Sequence, residues 1–318
     1  MEPMVAITSL GGGHGLFATL RAVRKLTPDV TAVVTVADDG GSSGRLRREL
    51  GQIPPGDLRM ALSALSSDSP RGRLWEKTLQ HRFGGTGALA GHAVGNLIIA
   101  GLTEVLGSET AALAELSSLL HIRGQVVPMA EIPLDIEAEV VGLEADARVV
   151  RPVRGQVAVA TTPGQVRRIR LIPEAPAAAP EAVSAIMDAD LVTLGPGSWF
   201  TSVLPHLMVP ELVTAINKTK AHRAVVLNLL AEPGETAGFS SERHIHMLTQ
   251  HCPDLKIDTV IVDEHAITTN SERDFLLRAA QALSAEVIFT DVHEENEHGQ
   301  LTGRHDPTKL AEVLQSLI

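Results

Sequence analysis

Asp38 and Asp39 are adjacent carboxylates at the end of the β-branched run Val30–Ala37, and Gly40-Gly41-Ser42-Ser43-Gly44 follows them directly. An acid at the end of a second strand holds ribose hydroxyls in doubly wound sheets. Two acids together also suit Mg2+, whose ligands are carboxylate and phosphate oxygens. Neighbouring strand residues point to opposite faces, so both can aim at one ligand only where the strand has already ended. Otherwise one of them serves to tighten the glycine turn. Ser42 and Ser43 can donate to a phosphate or cap the helix expected to begin near Arg45.

Two further glycine loops stand after short apolar runs. Gly11-Gly12-Gly13-His14-Gly15 follows Met4–Leu10. Glycines there let backbone N–H groups approach a phosphate at a helix N-terminus. The dinucleotide fingerprint would need a third glycine where Leu16 stands, and the Lys-Ser/Thr pair of a Walker loop is missing. That argues against a nicotinamide oxidoreductase. Gly195-Pro196-Gly197-Ser198, with Thr201 and Ser202 close behind, follows Leu191–Leu194. Asn96 and Asp57 stand at helix starts, where each caps the helix or reads a ligand. Arg304 precedes the final helix, and its guanidinium can clamp a diphosphate bidentately. The candidate ligand contacts are therefore Gly12, Gly13, His14, Asp38, Ser42, Ser43, Asn96, Gly195, Gly197, Ser198, Thr201 and Arg304. Asp38 and Asp39 are the candidate Mg2+ ligands, and the candidate catalytic residues if the chain is an enzyme. His244 and His246 form an H-x-H pair without supporting carboxylates.

These loops need strand ends to hold them. Strand, glycine turn, helix and strand alternate from Met4 to Ala37 and again from Leu191 to Val292, the pattern of a parallel α/β sheet. The expectation is one Rossmann-like domain over residues 1–318, mostly parallel, with helices on both faces. A β-rich segment at about 126–172 interrupts it. Val126–Val141, Ala147–Val150, Val157–Thr161 and Val166–Ile172 read as its strands, with Thr162-Pro163-Gly164 as a turn. Asp57 is expected to cap a helix over Leu58–Leu65, and Thr201–Asn217 to form another. Ligands in such sheets bind beyond the carboxyl ends of the strands, where all three glycine loops lie.

Composition removes several classes. The chain has 318 residues, 44% hydrophobic and 20% charged, and a formal net charge of -11. That lacks the basic footprint of a nucleic-acid binder. A single cysteine, Cys252, excludes an intramolecular disulfide. No apolar stretch approaches the ~18 residues of a membrane-spanning helix, and no signal peptide is visible. The expected compartment is the cytoplasm.

The loops taken together resemble the CofD/YvcK-like superfamily, in its gluconeogenesis factor branch, over nearly the whole chain. The resemblance runs through Gly11–Gly15, Val33–Arg45, Pro54–Arg59, Gly91–Asn96, Gly195–Pro205 and Arg304-His305. His14 stands where a Thr is more common, a spelling similar to actinobacterial members. The resemblance implies a cytoplasmic, homodimeric protein that binds UDP-N-acetylglucosamine or a related UDP-sugar without a required cofactor. It also implies a role in carbon flux into peptidoglycan precursors and cell shape during gluconeogenic growth, with amino-sugar pathway enzymes as partners. Two enzymatic alternatives come with it. One is a Mg2+-dependent uridylyltransferase making UDP-N-acetylglucosamine. The other is a phospholactyl transferase of the CofD type, which the Asp38–Gly44 continuation disfavours.

Overall fold

The computed structural model describes residues 4–146, 148–232, 235, 236 and 238–318. Among the described residues twelve strands are formed: β1 (Ile7–Gly11), β2 (Val30–Val34), β3 (Gln125–Pro128), β4 (Asp135–Val141), β5 (Val150–Arg154), β6 (Gln165–Ile172), β7 (Leu191–Leu194), β8 (His222–Val226), β9 (Thr259–Asp263), β10 (Glu286–Thr290), β11 (His293–Glu295) and β12 (Leu301–His305). Seven make one sheet in the order β10-β9-β8-β7-β1-β2-β3. Every pairing in it is parallel. Its central strands are buried along their length. That is why Val260–Val262 reads as an unbroken apolar run rather than an alternating one, and why the strand positions Thr8 and Ser9 are buried as well.

The order places a switch point between β1 and β7. From β1 the chain winds outward to β2 and β3; from β7 it winds the other way to β8, β9 and β10. Right-handed crossovers in opposite directions put the connecting helices on opposite faces. They also open a crevice at the strand ends where the windings diverge. The Gly12–Gly15 and Gly195–Ser198 loops leave from the two strands that flank it.

These loops touch backbone to backbone. A Cβ on Gly15 would lie 2.1 Å from the Pro196 carbonyl oxygen and 2.5 Å from the Gly197 Cα. The Gly195 N–H donates to Leu10 O at 3.1 Å. The buried Thr19 hydroxyl, one turn along the helix Gly13–Val23, donates to Gly195 O, also at 3.1 Å. Asn228, beyond β8, holds Gly197 from both sides: its Oδ1 accepts the Gly197 N–H and its Nδ2 donates to the Gly197 carbonyl, at 2.8 and 2.9 Å.

The β-rich segment differs in detail from its expectation. Val126 and Val127 belong to β3 of the main sheet, and Met129–Leu134 leaves that sheet before β4 begins. The inserted sheet is antiparallel, in the order β5-β4-β6. Val157–Thr161 is not a strand, because Gln156–Ala160 forms one short helix with Val159 buried. Ala147 lies outside the described residues. Thr201–Asn217 is not one helix either. A wide π-helical turn over Trp199–Val203 and a tighter turn over Leu204–Met208 precede the helix Pro210–Lys218, since Pro205 and Pro210 cannot donate within a helix interior. No single helix among the described residues is long and apolar enough to cross a membrane.

Gly15→Ala is expected to lose about 1–3 kcal/mol or more of stability through overpacking against fixed backbone, despite alanine's better helix propensity. Gly101→Ala, an exposed helical glycine with open space around it, is expected to gain up to about 1 kcal/mol. Thermal unfolding of the two variants beside the parent checks both signs.

Candidate functional site

The first turn of the helix Gly13–Val23 is built to face a ligand. Its N-cap is Gly12, which has no side chain to cap with, and no acid occupies the first turn. The first helical bond runs from the Leu16 N–H to Gly12 O. The amides of Gly13, His14 and Gly15 therefore precede the intrahelical ladder, at the positive end of the helix dipole.

Two adjoining cavities open there. The smaller, about 310 Å3, is lined by Gly12–Gly15, Asp38, Asp57, Gln156, Ser198, Thr201, Ser202 and Glu232. The larger, about 830 Å3, is lined by Phe17, Arg59, Arg82, Asn228–Glu232, Arg304 and His305, among others. His14, Gly15, Met60, Gly197 and Glu232 border both, so the helix terminus separates two chambers of one site.

Their charge differs in sign. The small chamber carries three carboxylates, Asp38, Asp57 and Glu232. Asp57 is half-buried in the chamber wall, and its loss of solvent together with the nearby Asp38 carboxylate pushes its pKa up to about 7. Burial also holds Glu232 above the usual carboxylate range. Behind it, Glu235 is raised to about 7 by burial. It accepts the Thr201 hydroxyl at 2.6 Å and the Phe200 N–H at 3.0 Å.

The large chamber carries the cations. Arg21 there is spent on Glu76 and Asp68. Arg59, Arg82 and Arg304 have no ion-pair partner among the described residues. Arg59 is only 3% exposed. Its Nε donates to Asn96 Oδ1 at 2.8 Å, but its Nη1 has no hydrogen-bond partner. A buried, unpaired donor on a cation costs free energy unless something anionic completes it. Burial and the Arg82 charge lower the pKa of Arg59 to about 10, leaving it charged at neutral pH. His14 is also lowered, by burial and then by Arg304 and Arg59, so it faces both chambers as a neutral imidazole at pH 7.

The structure sorts the expected contacts. Gly12, Gly13, His14, Asp38, Gly197, Ser198, Thr201 and Arg304 line the two chambers. Gly195 does not; its φ of +77° makes the turn that brings Gly197 forward. Ser42 and Ser43 are buried within the first turn of the helix Gly41–Leu50, which starts four residues earlier than expected. Asn96 is buried too and donates to the Ser42 hydroxyl at 3.0 Å, while Ser42 pairs with His92 Nδ1 at 2.9 Å. This network stands behind the chamber wall and holds Arg59 in place.

Asp39 corrects the paired-acid expectation. The ladder of β2 stops at Val34, so Asp38 and Asp39 are indeed beyond the strand, yet they diverge. Asp38 faces the small chamber. The Asp39 carboxylate accepts the Val157 N–H at 2.9 Å and so docks the inserted helix whose Gln156 closes that chamber. The acid that joins Asp38 is Asp57. It is not the N-cap of its helix, a place Pro54 takes with Pro55 at the first helical position. Arg59, Asn228, Glu232 and Glu235 were not singled out from sequence. The run Pro54–Arg59, with an acid and a base two residues apart in one helical turn, was the available signal for Arg59.

The model of the 2-phospho-L-lactate transferase CofD family matches residues 7–299. The chain belongs to the CofD family. It is 61% identical to a putative gluconeogenesis factor of Mycobacterium tuberculosis (strain ATCC 25618 / H37Rv), covering 98% of this chain and 90% of that one. It is 37% identical to the gluconeogenesis factor of Bacillus subtilis (strain 168), covering 100% and 98%. A crystal structure of a UPF0052 family member from Bacillus halodurans superposes with a TM-score of 0.85 at 32% identity, covering 99% of this chain and 100% of that one. Within the CofD family fold, the three glycine loops occupy one edge of the sheet.

Asp57 makes the free protein pH-sensitive. Its folded pKa of about 7 lies above the ordinary aspartate value of 3.8, so the folded state keeps a proton that the unfolded chain releases. That contribution is fully present below about pH 4 and is lost as the pH rises to about 7. Asp57→Asn is expected to be more stable than the parent at pH 8, with the advantage shrinking towards pH 4. Denaturant unfolding of both proteins without divalent cations, at those two pH values, measures the difference.

Proposed function

We propose that this chain binds a nucleoside diphosphate sugar, UDP-N-acetylglucosamine or a close relative, and regulates carbon flux into peptidoglycan precursors during growth on gluconeogenic carbon. The observation that carries the binding reading is the buried Arg59 guanidinium, whose Nη1 has no hydrogen-bond partner, with Arg82 and Arg304, beside the first-turn amides of His14 and Gly15. That arrangement is complementary to a diphosphate. Charge-assisted hydrogen bonds contribute roughly 1.5–3 kcal/mol each, so a few of them reach the ~8 kcal/mol of micromolar binding. The large chamber has room for the nucleoside, and the small chamber offers carboxylates to sugar hydroxyls. The names of the relatives support the metabolic half of the reading.

A second reading, nucleotidyl or phosphoryl transfer, draws on one specific observation. Asp38 and Asp57 share the small chamber with Glu232, and burial together with the Asp38 charge raises the Asp57 pKa to about 7. That donor set fits Mg2+, which favours carboxylate oxygens and keeps room for phosphate oxygens. When bound, Mg2+ would neutralise charge developing on a transferred phosphoryl group. The chain's own part would be to orient the phosphates on the Gly13–Gly15 amides, exclude water with Gln156 and Met60, and balance charge through Arg59 and Arg304.

Arg304→Ala is expected to weaken UDP-N-acetylglucosamine binding at least about tenfold, the ~1.4 kcal/mol scale. Calorimetry showing equal affinity would remove Arg304 from the site. Turnover separates the two readings. With UTP, Mg2+ and N-acetylglucosamine 1-phosphate, a regulator releases no pyrophosphate above a no-protein control. A transferase releases it, losing the activity in Asp38→Asn and retaining more of it in Asp39→Asn.

A further inference from the structure

Outside the two chambers, four metal-binding side chains meet at the carboxyl edge of the outer strands. Asp263 ends β9, His265 lies in the turn Glu264–Ala266, Asp291 follows β10, and His293 opens β11. One nitrogen or oxygen from each falls within 4.8 Å of the other three. A tetrahedral ion with bonds of about 2.0–2.1 Å needs ligand atoms roughly 3.3 Å apart. His265 Nδ1 and His293 Nδ1 lie 3.2 and 2.7 Å from the same Asp263 oxygen, and His265 Nδ1 lies 4.0 Å from Asp291 Oδ1.

A plain ion-pair network does not account for His293. The residue is 4% exposed, and its Nδ1 is buried without a hydrogen-bond partner. It approaches Asp263 at 2.7 Å with no N–H···O alignment. The buried His293 Nδ1 is thereby left as a donor atom open to an ion beside the Asp263 oxygen, which also accepts the His265 N–H at 2.8 Å. The outer contacts are those of an oriented ligand set. Asp263 Oδ2 accepts the Val292 N–H at 2.9 Å, and Lys309 holds the second Asp291 oxygen at 2.6 Å. His265 is partly exposed, giving an ion a way in.

We propose that Asp263, His265, Asp291 and His293 form a site for one divalent transition-metal ion of the Zn2+ class. Two imidazoles with two carboxylates suit such an ion and disfavour Mg2+ or Ca2+, which take oxygen ligands. The site also has a structural consequence. His293 pairs with His305 across β11 and β12, and His305 contacts Leu227 O, beside Asn228. An ion on His293 therefore braces the hairpin that presents Arg304 to the large chamber.

The test uses the untagged full-length chain, stripped with a chelator and titrated with Co2+. One equivalent is expected to bind and give the intense visible absorption of a four-coordinate centre, which Zn2+ then abolishes. His265→Ala, whose side chain is too exposed to carry the fold, is expected to weaken Co2+ binding at least tenfold. His293→Ala is expected to do the same. His246→Ala, an exposed imidazole on the helix Ser241–His251 outside both sites, is expected to bind Co2+ as the parent does. Amide exchange in residues 293–305 is expected to slow when Zn2+ is added. No saturable Co2+ binding, or equal affinity in His265→Ala, overturns the site. Binding without slower exchange overturns the brace.

Discussion

The contact on which the rest of this structure depends is the meeting of two backbones at the switch point. Gly15 lies against the Pro196 carbonyl and Gly197 with no room for a Cβ. That approach draws the loops after β1 and β7 into a single wall. It also aims the start of the helix Gly13–Val23 between the two chambers. Thr19 and Asn228 fasten the Gly195–Gly197 loop from both flanks. Each is a polar side chain satisfied by backbone groups that the turn leaves without a strand partner. The helix terminus, both cavities and the placement of Arg59 and Asp57 around them follow from this junction.

Much of that was legible in the chain. β-Branched apolar runs followed by glycines fixed the parallel α/β class, because strands buried on both faces leave that signature. The positions of the three loops followed from the rule for ligands at strand ends. What resisted reading was direction. Asp38 and Asp39 are equivalent as letters, but one residue of rotation sends one carboxylate into the chamber and the other to the Val157 amide. The partner of Asp38 is Asp57, nineteen positions on, brought there by a helix start that only tertiary packing sets. Val157–Thr161 alternates like a strand yet forms a helical turn, since Asp39 accepts its first amide and supplies the cap from outside the segment. Arg59 was hidden for a related reason. Single-chain reading treats an arginine as a solvated surface residue, whereas here the buried Ser42–Asn96 network pulls it inward.

The two chambers also explain why neutral His14 suits its place. An imidazolium there would add to Arg59 and Arg304 on one side and be drawn to the carboxylates on the other, coupling the chambers electrostatically. Burial and the two guanidiniums keep the ring uncharged. It can then donate from one nitrogen and accept at the other without altering the charge of either chamber. A threonine hydroxyl would have the same dual capacity.

The division of charge further constrains what fills the site. An anionic group in the large chamber relieves the unpaired Arg59 donor, whereas one in the small chamber would meet Asp38, Asp57 and Glu232. A ligand with phosphates at its middle and neutral hydroxyls at one end satisfies both walls at once. A ligand with a terminal phosphate reaches the small chamber only with a cation beside it. Binding without a metal and transfer with one are thus alternatives that the same walls permit, set by whether the ligand's far end is neutral or charged.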